Sequence, residues 1–102
     1  MPGVTEADVR RVATSFAHVT EQPHHGIPSW RTSKRIFATL PDGEHLHVML
    51  DEGGIRAAVA EFSGWCEEKW WGRRLAAVRV HLPDADPAIV AELLGDAWQL
   101  HS

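Results

Sequence analysis

Leu46, Val48 and Leu50 alternate with His45, His47 and Met49. A period of two predicts a strand with one buried face. Immediately upstream, Leu40-Pro-Asp-Gly-Glu44 has the chemistry of a tight turn: proline presets φ, aspartate bonds its own backbone and glycine accepts φ > 0. Lys34–Leu40 extends as the partner strand, and Arg31–Arg35 turns back to a first strand centred on Trp30.

The flanking segments carry the helical period instead. Thr5 caps a first helix, with Asp8 where a capping box usually has Glu. Val9, Val12, Ala13 and Phe16 then form one stripe. Gln22–Pro28 is so broken by Pro and Gly that it predicts irregular chain. Asp51–Gly54 leads into a second helix, whose face is Ile55, Ala58, Val59 and Phe62; Gly64 is placed for a left-handed residue past its end. Trp65–Trp71 has the weakest pattern. Its second half reads as a strand, joined through Trp71-Gly-Arg-Arg74 to the clear alternation of Leu75–Leu82. Pro83 stops that strand, Asp86-Pro87 starts a last helix, and Val90, Leu93, Leu94 and Ala97 are its buried stripe.

The order is helix, three strands, helix, two strands, helix. Three helices on one face of a five-stranded antiparallel sheet make an α+β two-layer domain, with the other sheet face open.

At 102 residues the chain is one domain, residues 1–102, with a single core. Its hydrophobic content of 44% and charged content of 24% are ordinary for a soluble globular protein. A net charge of −4 gives no overall basic field for nucleic acid, though it permits a local basic patch. With Cys66 alone, an internal disulfide and a Cys-rich zinc site are both excluded. The N-terminus reads as no secretory signal and no apolar run is long enough to span a membrane, so the expectation is a cytoplasmic protein without a membrane partner.

Val19-Thr-Glu21, His25-Gly-Ile-Pro-Ser-Trp-Arg31, Lys34–Leu40, Trp70-Trp-Gly72, Val78-Arg-Val80 and Asp86–Trp98 resemble the MmcQ/YjbR family of small bacterial proteins, over nearly the whole chain. The resemblance implies an α-β3-α-β2-α arrangement around five antiparallel strands. It also implies a "double wing" DNA-binding role and a likeness to CyaY-like and secretion-chaperone-like folds. It brings no catalytic motif.

Strand direction sorts the charges. The Arg31–Arg35 and Gly72–Arg74 turns fall at one end, bringing together Arg31, Lys34, Arg35, Lys69, Arg73 and Arg74, while Asp42, Glu44, Asp84 and Asp86 fall at the other. Two basic hairpin tips can straddle a phosphate backbone; solvated hairpin ends are the plain alternative. Trp70 and Trp71 point to opposite sheet faces. The pattern leaves open which is which: one is expected to join the core, and the other, with Trp71 the candidate, to lie on the open face with His45, His47, Met49, Arg79 and His81. That face could hold a base or a peptide.

Seven histidines invite a metal reading, but no helical His pair or Cys pair accompanies them; the expectation is surface imidazoles and no metal or other cofactor. Cys66 near Lys69 reads as a packed thiol rather than a nucleophile. No phosphate loop or nucleophile elbow occurs. The sequence therefore reads as a non-enzymatic binding module. The first partner is DNA, held by the basic tips; the alternative is a protein or peptide on the open face.

Overall fold

Thr5 and Asp8 cap each other. The Thr5 hydroxyl accepts the Asp8 N–H at 3.1 Å, and the Asp8 carboxylate accepts the Thr5 N–H at 3.0 Å. From this cap, helix α1 runs Glu6–Ser15 in the computed structural model, which describes residues 3–102. Then follow β1 (Thr20–His24), β2 (Ile27–Arg31), β3 (Ile36–Asp42), β4 (His45–Val48), α2 (Glu52–Glu61), β5 (Cys66–Trp71), β6 (Arg74–His81) and α3 (Pro87–His101). The fold is α+β, with three helices and one open antiparallel sheet in the order β1-β2-β3-β4-β6-β5.

The sheet has six strands, not the expected five, because Gln22–Pro28 is regular after all. His25 and Gly26 have φ values of 52° and 81°, the two left-handed residues of a two-residue hairpin turn. That turn makes His24 and Ile27 a hydrogen-bonded pair, so Pro23 and Pro28, directly opposite each other, occupy a non-hydrogen-bonded one. Neither proline needs an N–H toward its hairpin partner there. Pro23 also lies on the sheet edge, and the β2–β3 ladder begins only at Ser29.

Leu46, Val48, Val78 and Val80 are fully buried, on the face the alternation assigned to the core. They pack with Val9 and Ala13 of α1, Ile55 and Ala58 of α2, and Val90, Leu93, Leu94 and Ala97 of α3. α3 lies on β3 and β4, and α2 on β5 and β6. Trp30 is wholly buried, and Trp98 stacks on Phe16 with ring centroids 5.3 Å apart. Both tryptophans serve packing.

Two local expectations change. Gly64 does not have positive φ; α2 ends when the Phe62 N–H bonds the Ala58 carbonyl, and the chain turns so that Trp65 and Cys66 donate to Phe62 O. Trp70 lies on the helix side beside Glu68, whose carboxylate its indole N–H reaches at 3.1 Å. At the far end of the edge strand β5, next to the Gly72-Arg73 turn, it stays 43% exposed instead of joining the core. Among the described residues no helix is long and apolar enough to cross a membrane.

Candidate functional site

The register brings the two basic turns to one end of the sheet. β2 leads up to the Thr32–Arg35 turn, and β5 runs parallel to β2, from Cys66 beside Val80 to Trp71 beside Arg74. Thr32 shapes the first turn, its hydroxyl accepting the Lys34 and Arg35 N–H groups, each at 3.1 Å. The second turn is Gly72-Arg73, with Gly72 at φ 60° in the position a type II′ hairpin reserves for glycine. Three strand spacings separate the two turns, about 14 Å.

Ion pairing divides the basic residues into two sets. Arg10, Arg11, Arg56 and Arg79 each lie within ion-pair distance of an Asp or Glu. Among the described residues, the Lys and Arg side chains with no Asp or Glu partner are Arg31, Lys34, Arg35, Lys69, Arg73 and Arg74. These six are the cations expected at the tips. Arg31 instead donates to the Gln22 side chain at 3.3 Å, and Lys34 to the Ser102 main-chain oxygen at 3.4 Å.

A hollow of about 520 Å³ on the open face joins part of this set to part of the open-face set. Arg35, Lys69 and Arg74 line it together with His47, Met49 and Trp71. Among the described residues no Asp or Glu lines it, although the chain carries a net charge of −4. Trp71 is 52% exposed at its edge. Arg31, Lys34 and Arg73 lie outside the lining. His45, Arg79 and His81 also lie outside it, in a separate depression of about 270 Å³ with Cys66 and Glu67. The expected open-face site is thus two places.

The hollow also contains residues the pattern did not single out. His24 and Ile27 come from the β1–β2 hairpin, whose strand β1 the prolines disguised, and Thr39 from β3. His101 arrives from the end of α3, its Nε2 donating to the Met49 carbonyl at 2.9 Å. Nothing in the local sequence around His101 signals this long-range contact.

His47 corrects the expectation of surface imidazoles on an open sheet. Thr39 and Arg79 flank it in register, it is 7% exposed, and its Nε2 is buried with no hydrogen-bond partner among the described residues. Burial first, then the nearby positive charges of Lys69 and Arg79, pull its pKa down to about 4. It is therefore neutral at pH 7 and adds no charge to the hollow. Arg79 Nε lies 3.4 Å from Glu67 Oε1 but makes no hydrogen bond with it, so that contact is an ion pair only.

At the acidic end, His45 and His81 face each other across β4 and β6 with ring centroids 5.3 Å apart. Their Nδ1 atoms meet Asp42 at 3.1 Å and Asp84 at 2.7 Å. Among the described residues no three His, Cys, Asp or Glu side chains are grouped to hold a metal ion. Burial pushes the Cys66 thiol up to about 11, which keeps it protonated and unreactive at neutral pH.

No family model matches this chain, and neither a curated protein nor a solved structure matches it.

Proposed function

We propose that this chain is a nucleic-acid-binding module of the MmcQ/YjbR type, gripping phosphates with its two basic turns and a base with the hollow between them. The observation that carries the reading is the segregation of charge: among the described residues, all six Lys and Arg side chains without an Asp or Glu partner lie at the two turns or on the strands leading into them. Four of the 10 basic residues are neutralised by ion pairs elsewhere. A phosphate backbone responds to that local set, and a net negative charge does not prevent contact within a Debye length of about 8–10 Å. Trp71 beside Lys69 and Arg74 supplies what single-stranded nucleic acid requires: an aromatic face for a base and cations for the adjoining phosphates.

The apolar part of the same hollow, Ile27, Ile36, Met49 and Leu50, favours a second reading, a peptide lodged there by its apolar side chains. Salt dependence separates the two. Nucleic acid should bind at low salt with a log–log slope of roughly 3 to 5, near 0.9 or 0.7 per phosphate for duplex or single strand. Arg73→Ala/Arg74→Ala should lower the slope by about 2 and weaken all sequences alike. Changing Asp42 and Glu44 at the far end should leave it unchanged. Absence of binding at low salt, or the same response from both double variants, overturns the nucleic-acid reading.

A further inference from the structure

The carboxylates are segregated as well, on the other side of the molecule. Among the described residues, eleven of the 14 Asp and Glu side chains meet a cation, a histidine or a backbone N–H. The three that meet nothing are Glu61, Glu92 and Asp96. All three line one groove of about 890 Å³ on the helix side, between α2 and α3. Asp51, which caps α2 by accepting the Gly54 N–H at 2.7 Å, is the fourth carboxylate on its wall. Among the described residues no Lys, Arg or His lines it.

The groove exists because α2 packs on β5 and β6 while α3 packs on β3 and β4, each over its own part of the sheet. Its apolar surface includes Phe62 from the end of α2 and Ile89, Leu93 and Leu100 from α3, with Leu100 48% exposed. Gly54, Ala57 and Ala58 keep the α2 wall low, so a third backbone can come close. An apolar trough between two helices, rimmed by unpaired acids, is complementary to a helix with an apolar stripe and basic flanks.

We propose that this groove docks an amphipathic helix of a partner protein, with its apolar stripe on Phe62, Leu93 and Leu100 and flanking Lys or Arg side chains against Glu61, Glu92 and Asp96. The groove is on the helix side and the hollow around Trp71 on the open face, and Leu50 lines both where they adjoin. Their other lining residues are distinct, and docking does not depend on the nucleic-acid reading.

The probe is a fluorescent synthetic peptide of about 16 residues, about 24 Å as a helix, with leucines at i, i+3, i+4 and i+7 and lysines on both flanks. A second peptide carries glutamate in place of lysine. Fluorescence anisotropy with the full chain should show the lysine peptide binding about tenfold or more tightly than the glutamate peptide, since like-charge contacts are penalised. Glu92→Lys/Asp96→Lys should reverse that preference. Ala57 is exposed, and Ala57→Trp should block both peptides while circular dichroism stays native. Arg73→Ala/Arg74→Ala should change nothing. The proposal is overturned by equal binding of the two peptides, by no binding of the lysine peptide, or by sensitivity to Arg73 and Arg74 in place of Glu92 and Asp96. Self-association of the chain that Ala57→Trp abolishes also overturns it, making a second copy the occupant.

Discussion

Trp30 Nε1 donates a hydrogen bond to Glu21 Oε1 at 2.9 Å, so the fully buried indole satisfies its polar atom on a carboxylate from the edge strand β1. Arg10 of α1 holds the same carboxylate through Nε at 2.7 Å. This hydrogen bond, before any other influence, keeps the Glu21 pKa below the usual carboxylate range. One side chain thus joins the first helix, the edge strand and the core. Glu21→Ala leaves the indole N–H buried and unpaired and should destabilise the fold by about 1–3 kcal/mol. Glu21→Gln keeps an acceptor and should cost less. Arg10→Ala should cost less again, because that side chain is 42% exposed. Urea unfolding of the three variants checks the order.

His47 makes stability depend on pH in a defined window. Its folded pKa of about 4 lies below the ordinary value of 6.5. The unfolded chain therefore takes up the proton first as pH falls. The contribution is complete above pH 6.5, declines from there toward pH 4, and amounts to about 3 kcal/mol once lost. His47→Gln cannot titrate. Urea midpoints measured between pH 7.5 and 4.5 should fall for the native chain and run flatter for that variant. Equal slopes would remove His47 as the cause.

Val48 and Val80 are two sites in the sheet that cannot accept a charge. Both are fully buried on the helix-covered face. An unpaired aspartate at either position costs several kcal/mol, on the order of the stability of a domain this size. Val48→Asp and Val80→Asp should each abolish the cooperative unfolding transition seen by circular dichroism. The change Lys34→Asp, at an exposed turn, should preserve it.

Trp71 and Trp70 are adjacent but lie on opposite faces, which gives an internal control. Trp71→Ala should weaken binding of single-stranded oligonucleotides by about 1–3 kcal/mol, the loss of one stacked base, with the salt slope nearly unchanged. Trp70→Ala should leave binding as it was. Titrations of both variants at two salt concentrations distinguish lost stacking from lost charge.

Where one residue interacts with its near neighbours, its role was legible along the chain. The Thr5–Asp8 cap, the Asp86 cap of α3, and the alternation of Leu46 and Val48 with His45 and His47 all rest on contacts or periods within a few residues. Strand direction follows from the turns between strands, so even the gathering of Arg35 and Arg74 at one end could be read from order alone. β1 could not. Pro23 and Pro28 are strand breakers in isolation, and only their opposition in a non-hydrogen-bonded pair, with Glu21 drawn to Trp30 and Arg10, makes that hairpin regular.

Burial on the open face and partnership between charges were decided by the tertiary structure alone. His47 alternates outward as the period requires, yet it is sealed because Thr39 and Arg79 are brought to either side of it from strands β3 and β6. His101 enters the hollow only because α3 ends beside Met49. The sequence determined how many charges there are and which strand or turn each occupies. Which cations and which carboxylates remain without partners depends on side chains meeting across the fold, as Arg56 meets Glu68 and Arg10 meets Glu21. Pairing is a property of distance in space, and the local chain carries no record of it.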